Sequence, residues 1–146
     1  MIAVQFPPAD FRMQKRDGKP FIFDVVRKRW VPLTEEEWVR QNIIAYLVGV
    51  LQYPKESIAV EKEIVLNGMP KRFDMLVYDK THQPWMMIEC KAPAVSLSEA
   101  VLQQALRYNM VLPVRWILIT NGENSIAWQK ENATLHLASS LPGWGG

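Results

Sequence analysis

Two neighbouring runs constrain this chain more than any other feature: Arg72-Phe73-Asp74-Met75-Leu76-Val77-Tyr78 and Trp85-Met86-Met87-Ile88-Glu89-Cys90-Lys91. Both are apolar enough to read as sheet strands, yet they carry Asp74, Glu89 and Lys91. Side chains alternate faces along a strand, so Glu89 and Lys91 point the same way and Cys90 points to the other, buried face. Ionisable groups in apolar strands are costly unless they face a site. Two carboxylates and a lysine meeting at a sheet edge are the parts for holding a divalent metal against a phosphodiester.

The rest of the chain is compatible with that reading. A length of 146 residues suits one domain, divided into an N-terminal arm and hairpin (1–32), a core (33–128) and a C-terminal tail (129–146). With 49% hydrophobic and 22% charged residues it has the makeup of a soluble globular protein. A single cysteine excludes an internal disulfide and fits a cytoplasmic location. The start of the chain has no signal-peptide pattern, and the apolar stretch 43–51 is too short to span a membrane. No G-x-x-x-x-G-K phosphate loop occurs, so nucleotide-driven activity is not expected of these residues. The net charge of +2 is uninformative; the clusters Lys15-Arg16, Arg27-Lys28-Arg29 and Lys71-Arg72 are better pointers to a polyanion.

Residues 1–19 read as an irregular arm, with short strands expected over 21–26 and 28–31. Thr34 and Glu37 fit a capping box, with Leu33 stapled onto Trp38, opening a helix whose apolar stripe runs from Val39 to Leu51 before Pro54 ends it. Residues 58–66, the Asn67-Gly68 turn, the strand of Asp74 and the strand of Glu89 make an antiparallel meander. Ser96-x-x-Glu99 predicts a second helix through Asn109. Strand 116–120 then lies parallel to the Glu89 strand by a right-handed crossover, and Asn121-Gly122 turns it into 125–128. Glu61 and Glu63 are expected on one strand face, either solvated or bringing one of the two toward a metal. The result is an α/β sandwich with a mixed sheet.

This order of elements and residues resembles the PD-(D/E)xK nuclease superfamily, and within it the N-terminal domain of type I restriction enzyme R subunits, standing alone. The resemblance runs over residues 33–128. It rests on Glu37-Trp38-Val39-Arg40-Gln41, Lys71-Arg72-Phe73-Asp74, Ile88-Glu89-Cys90-Lys91-Ala92-Pro93, Gln104-Ala105-Leu106-Arg107-Tyr108 and Ile119-Thr120-Asn121-Gly122. Phe73 stands where the superfamily name has proline.

The resemblance implies a restriction-endonuclease-like three-layer sandwich, a central mixed sheet flanked by helices. It also implies a Mg²⁺-dependent DNA endonuclease of restriction, defence or repair, with Mn²⁺ as a substitute ion. Asp74, Glu89 and the Cys90 backbone carbonyl would hold the metal, and Lys91 would orient the attacking water. Glu37 matches a family glutamate near the metal, with Glu36 as its substitute; Gln104 and Tyr108 would serve as accessory residues. Arg40, Arg72 and Arg107 are the candidate phosphate contacts. DNA, other restriction or repair subunits and a second copy are the implied partners. The competing reading is a non-catalytic nucleic-acid-binding or accessory module that keeps the fold.

Overall fold

The computed structural model describes residues 2, 4, 6, 9–109, 112 and 114–145, with the side chains of Ala105, Tyr108 and Asn109 outside that set. Strands β1 (Met13–Arg16), β2 (Lys19–Asp24) and β3 (Arg29–Pro32) form a small antiparallel sheet. Its first strand corrects the expected irregular arm. Asp17 and Gly18 both have left-handed backbone, at φ 51° and 76°, the geometry that reverses a two-residue hairpin, and Asp-Gly is a turn signal visible in the sequence.

Helix α1 (Glu35–Ala45) follows, with Thr34 at its N-cap accepting the Glu37 N–H at 3.0 Å. Only this half of the expected box forms, because the Glu37 carboxylate is engaged elsewhere. Trp38 sets its edge against Phe11, ring centroids 5.2 Å apart. The stripe holds through Leu47, but residues Tyr46–Val50 widen into a π turn closed by Leu51 N donating to Tyr46 O, and the expected stripe residue Val50 is left exposed.

Strands β4 (Ile58–Leu66), β5 (Met69–Tyr78), β6 (Pro84–Cys90), β7 (Trp116–Thr120), β8 (Ser125–Glu131) and β9 (Thr134–Leu137) form a six-stranded sheet in that order. The β4–β5–β6 meander is antiparallel, and β7 lies parallel to β6 with Ile88 opposite Leu118, as the crossover rule requires. The crossover contains α2 (Glu99–Asn109). Its cap is Ser98 rather than Ser96: the Ser98 hydroxyl accepts from Val101 N at 3.4 Å and its carbonyl from Leu102 N at 3.0 Å.

Two cores flank the sheet. Val39, Ile43, Ile44 and Leu47 of α1 pack with Met75, Met86, Ile88 and Leu118. Leu102 and Leu106 of α2 pack with Leu76, Met87, Ile117 and Ile119. From Met86 onward in β6, and along β7, neighbours thus alternate between the cores, as pleated strands do. Burial of these side chains contributes about 1.5–3 kcal/mol each and carries the fold.

Residues 129–145, expected as a tail, carry the end of β8, strand β9 and two anchoring hydrogen bonds. Asn132 and Ala133, at φ 48° and 65°, turn β8 into β9. Tyr53 donates its hydroxyl to Pro142 O at 2.7 Å, and the Trp144 indole donates to Tyr78 O at 2.9 Å. No helix among the described residues is long and apolar enough to cross a membrane.

Gly122, in the turn after β7, has φ +91°, and a Cβ there would meet Val39 Cγ2 at 3.2 Å. Backbone strain and crowding against α1 act together, so Gly122→Ala is expected to lower stability by about 1–2 kcal/mol, read from the urea midpoint at unchanged slope.

Candidate active site

The β5–β6 ladder pairs Val77 with Met86, Leu76 with Met87 and Met75 with Ile88, and then stops. One step further the Cys90 N–H is taken by a side chain, Asp74 Oδ2, at 2.9 Å. The strands part at that point, and a carboxylate occupies the opening. Glu89 and Lys91 share the next positions of the Glu89 face, with Lys91 Nζ 3.3 Å from Glu89 Oε1 and each side chain about 30% exposed. Cys90 is buried on the opposite face, as alternation demands. Burial holds its thiol in the neutral form, well above its ordinary range.

The electrostatics of this opening are those of crowded anions. Asp74 is pushed up by burial, opposed by the Cys90 N–H and by the nearby charges of Arg40 and Lys91. Glu89 is pushed up by burial and then by the Asp74 charge. Glu36 on α1 is raised by burial and by the same Asp74 charge. Three carboxylates from β5, β6 and α1 therefore lie in one field, with Lys91 as a cation among them. Glu36 precedes Val39 by three residues and Ile43 by seven, so the apolar stripe extended back one turn leads to it.

Glu37 has a different place. It is 4% exposed, and both its oxygens are occupied: Oε1 by Arg27 Nη2 at 2.6 Å and Arg40 Nη2 at 2.8 Å, Oε2 by Arg40 Nε and Gln41 Nε2, each at 3.0 Å. Burial alone would raise it, but the hydrogen bonds from Arg40, Arg27 and Gln41 outweigh that and hold it at about 2. Arg27 also pairs with the fully buried Asp24. Of the helix glutamates, Glu36 feels the charge of Asp74, and Glu37 fastens the small sheet to α1.

The candidate phosphate contacts divide likewise. Arg40 is 5% exposed, and its guanidinium is spent on Glu37 and, at 3.4 Å, on Glu61. Arg72 is exposed, its Nη2 3.0 Å from Glu61 Oε2. Gln104 and Arg107 lie on the exposed side of α2; Tyr108 is in the same helix, its side chain outside the described residues.

Glu61 departs from the expected exposed face. Its φ of 52° is left-handed, and Ile58 and Val60 before it serve the α1 core while Ile64 and Leu66 after it serve the α2 core. Alternation in β5 slips at the facing position, with Phe73 on the α2 side and Met75 on the α1 side. The hairpin turns over at Glu61 and Asp74. No sequence signal marks this, since glutamate seldom adopts that backbone.

The turn after β7 braces the same edge. Lys91 N donates to Thr120 O at 2.9 Å, and Asn121 Nδ2 donates to Val95 O at 2.8 Å. Asn121 Oδ1 accepts from Glu123 N and Asn124 N. Thr-Asn-Gly thereby pins the loop that leaves Lys91. A cleft of about 800 Å³ adjoins the site, lined by Glu36, Arg27, Arg29, Trp30, Glu61 and Ala92 among others.

The model of one family, the type I restriction enzyme R protein N terminus (HSDR_N), matches residues 35–142. The chain belongs to that family. No curated protein matches it. The matched span takes in α1, the whole six-stranded sheet and α2, and leaves out β1–β3.

The donor set suits a hard divalent cation. Asp74 and Glu89 supply carboxylate oxygens that already attract protons more strongly than ordinary carboxylates do, and a cation relieves the same repulsion. Among the described residues no three acidic, imidazole or thiol side chains make a ready-made metal cage. An ion held here takes its remaining oxygens from backbone, water or substrate, which is the habit of Mg²⁺.

Two stability effects follow. Glu37, depressed from 4.5 to about 2, stabilises the fold fully above its unfolded value, and this contribution is lost as pH falls through about 2. Glu37→Gln is expected to cost about 3–5 kcal/mol at pH 7, since it strands buried Arg40, and to flatten the acid limb of a stability–pH profile by urea unfolding. Asp74 has the opposite sign: its penalty is complete above its raised folded value and absent below 3.8. In metal-free buffer at pH 7, Asp74→Asn is expected to raise the thermal midpoint by roughly 2–4 °C, the equivalent of about 1 kcal/mol. That gain disappears near pH 3.

Proposed function

We propose that this chain is a Mg²⁺-dependent DNA endonuclease domain of the PD-(D/E)xK kind, hydrolysing phosphodiester bonds in a restriction or DNA-defence system. Its two-sided packing of α1 and α2 on one mixed sheet is, on this reading, the restriction-endonuclease-like three-layer sandwich. The observation that carries the proposal is the parted end of the β5–β6 ladder, where Asp74 takes the Cys90 N–H beside the Glu89–Lys91 pair. The family, the N terminus of a type I restriction enzyme R protein, supports this reading, and DNA and other restriction subunits are the partners it would have.

Asp74 and Glu89, with the Cys90 backbone carbonyl, would hold the ion. A bound Mg²⁺, or Mn²⁺ in its place, supplies Lewis acidity and a bound water of lowered pKa. Lys91 stands beside Glu89 on the same face, where its ammonium orients the attacking water and offsets negative charge developing on the phosphoryl oxygens. Lysine suits this task as a compact cation, which a broad guanidinium does not reproduce. Glu36 sets the field of the site from α1 and takes the place expected of Glu37. Gln104, Arg107 and Tyr108 on α2, with Arg72 on β5, serve the DNA backbone and position without reading sequence. One such centre cuts one strand, so a double-strand break requires a second copy, a second subunit or successive nicks.

Supercoiled plasmid with Mg²⁺, Mn²⁺ or EDTA tests this. Metal-dependent nicking is expected, reduced at least about a hundredfold by Asp74→Ala and by Lys91→Ala. Equal activity in those variants overturns the site assignment. Absent cleavage with retained, salt-sensitive DNA binding makes the chain a binding or accessory module.

A further inference from the structure

The small β1–β3 sheet lies outside the matched family span, and its two faces differ in kind. Ile22, Asp24 and Val31 turn inward and are buried. Phe21, Phe23 and Trp30 alternate to the outer face, where Phe23 lies opposite Trp30 in register, with ring centroids 5.5 Å apart and planes at 75°. Two exposed arginines lie over these rings. The Arg12 guanidinium is 4.6 Å from the Phe23 centroid and 5.4 Å from that of Trp30. The Arg16 guanidinium is 5.3 Å from Phe21 and 5.9 Å from Trp30.

Charge is concentrated on the same segment. Residues 11–32 contain seven basic side chains and two acidic ones, a net charge of +5 against +2 for the whole chain, so the remainder is net negative. Asp24 is buried on the inner face paired with Arg27, which leaves six basic side chains against Asp17 alone. Rings alternating with guanidiniums on a cationic sheet match a polyanion that also offers flat π surfaces. Single-stranded nucleic acid meets both demands; a duplex keeps its base faces stacked inside, and an acidic peptide has no use for three rings in a row. Trp30 also lines the cleft that reaches Glu36 and Ala92, so the face opens toward the loop that follows Lys91.

We propose that the outer face of the β1–β3 sheet binds single-stranded DNA, stacking bases on Phe21, Phe23 and Trp30 and taking phosphates on Arg12 and Arg16. The strand runs from this face over Trp30 toward the cleft. Binding here needs no metal and does not depend on the nuclease reading, which it extends by supplying a path for an unpaired strand. It predicts a preference for DNA with frayed or displaced ends over closed duplex.

The test is fluorescence anisotropy of a labelled oligothymidylate of about 12 nucleotides, with the full chain in EDTA. Wild type is expected to bind it more tightly than a duplex of equal length, with affinity falling as salt rises. The double variant Arg12→Glu/Arg16→Glu, whose side chains are exposed, is expected to lose at least about tenfold while keeping its near-UV dichroism. Trp30→Ala is expected to lose roughly five- to a hundredfold, and Trp30→Phe, which keeps a ring, to recover most of it. Unchanged binding in the arginine variant overturns the proposal, as does equal binding of the duplex or equal competition by polyglutamate. Failure of plasmid cleavage alongside intact oligothymidylate binding removes the nuclease reading and leaves this one standing.

Discussion

The buried carboxylate of Glu37 joins three parts of the molecule that have no covalent reason to stay together. Through Arg27 it holds the small sheet, through Gln41 and Arg40 it holds its own helix, and Arg40 reaches on to Glu61 of β4. A buried ion pair is weak evidence of net stability, because desolvation offsets much of the attraction. Its strength lies in specificity: two guanidiniums with fixed forks accept few other arrangements. The position of α1, and with it of Glu36, is therefore set by charge geometry as well as by the apolar stripe beneath it.

The site next to it works by the opposite logic. Glu37 is surrounded by cations and stays ionised, whereas burial and the charge they share push Asp74, Glu89 and Glu36 above the ordinary carboxylate range. The same residue type takes contrasting roles according to its neighbours alone.

Much of this was legible in the sequence. Period-two alternation placed Glu89 and Lys91 together and Cys90 on the buried side, Asn67-Gly68 marked the hairpin, and strand–helix–strand spacing gave the parallel β6–β7 pair. The misreadings have physical causes. Asp17-Gly18 is a turn signal, but the proline-bearing, polar start around it masks the strand pattern of β1. A capping pattern gave Glu37 a local partner, but a buried arginine pair outcompetes a helix-end N–H for the same oxygens. Ser98 and Ser96 offer the same chemistry two residues apart, and only the backbone decides between them. The hairpin's change of face left no trace, since it depends on one glutamate in a conformation that sequence patterns assign to glycine or asparagine.

That glutamate has a consequence beyond the site. Strand β4 is an outer strand of the six-stranded sheet, with Val65 exposed along it, and an outer strand offers unpaired N–H and C=O groups to any other sheet of its kind. Glu61 breaks that row midway, because a left-handed residue turns its peptide groups out of line with those on either side. The bend that lets one hairpin serve two cores thus also guards the edge against zipping onto a neighbour, without a proline and without shortening the strand.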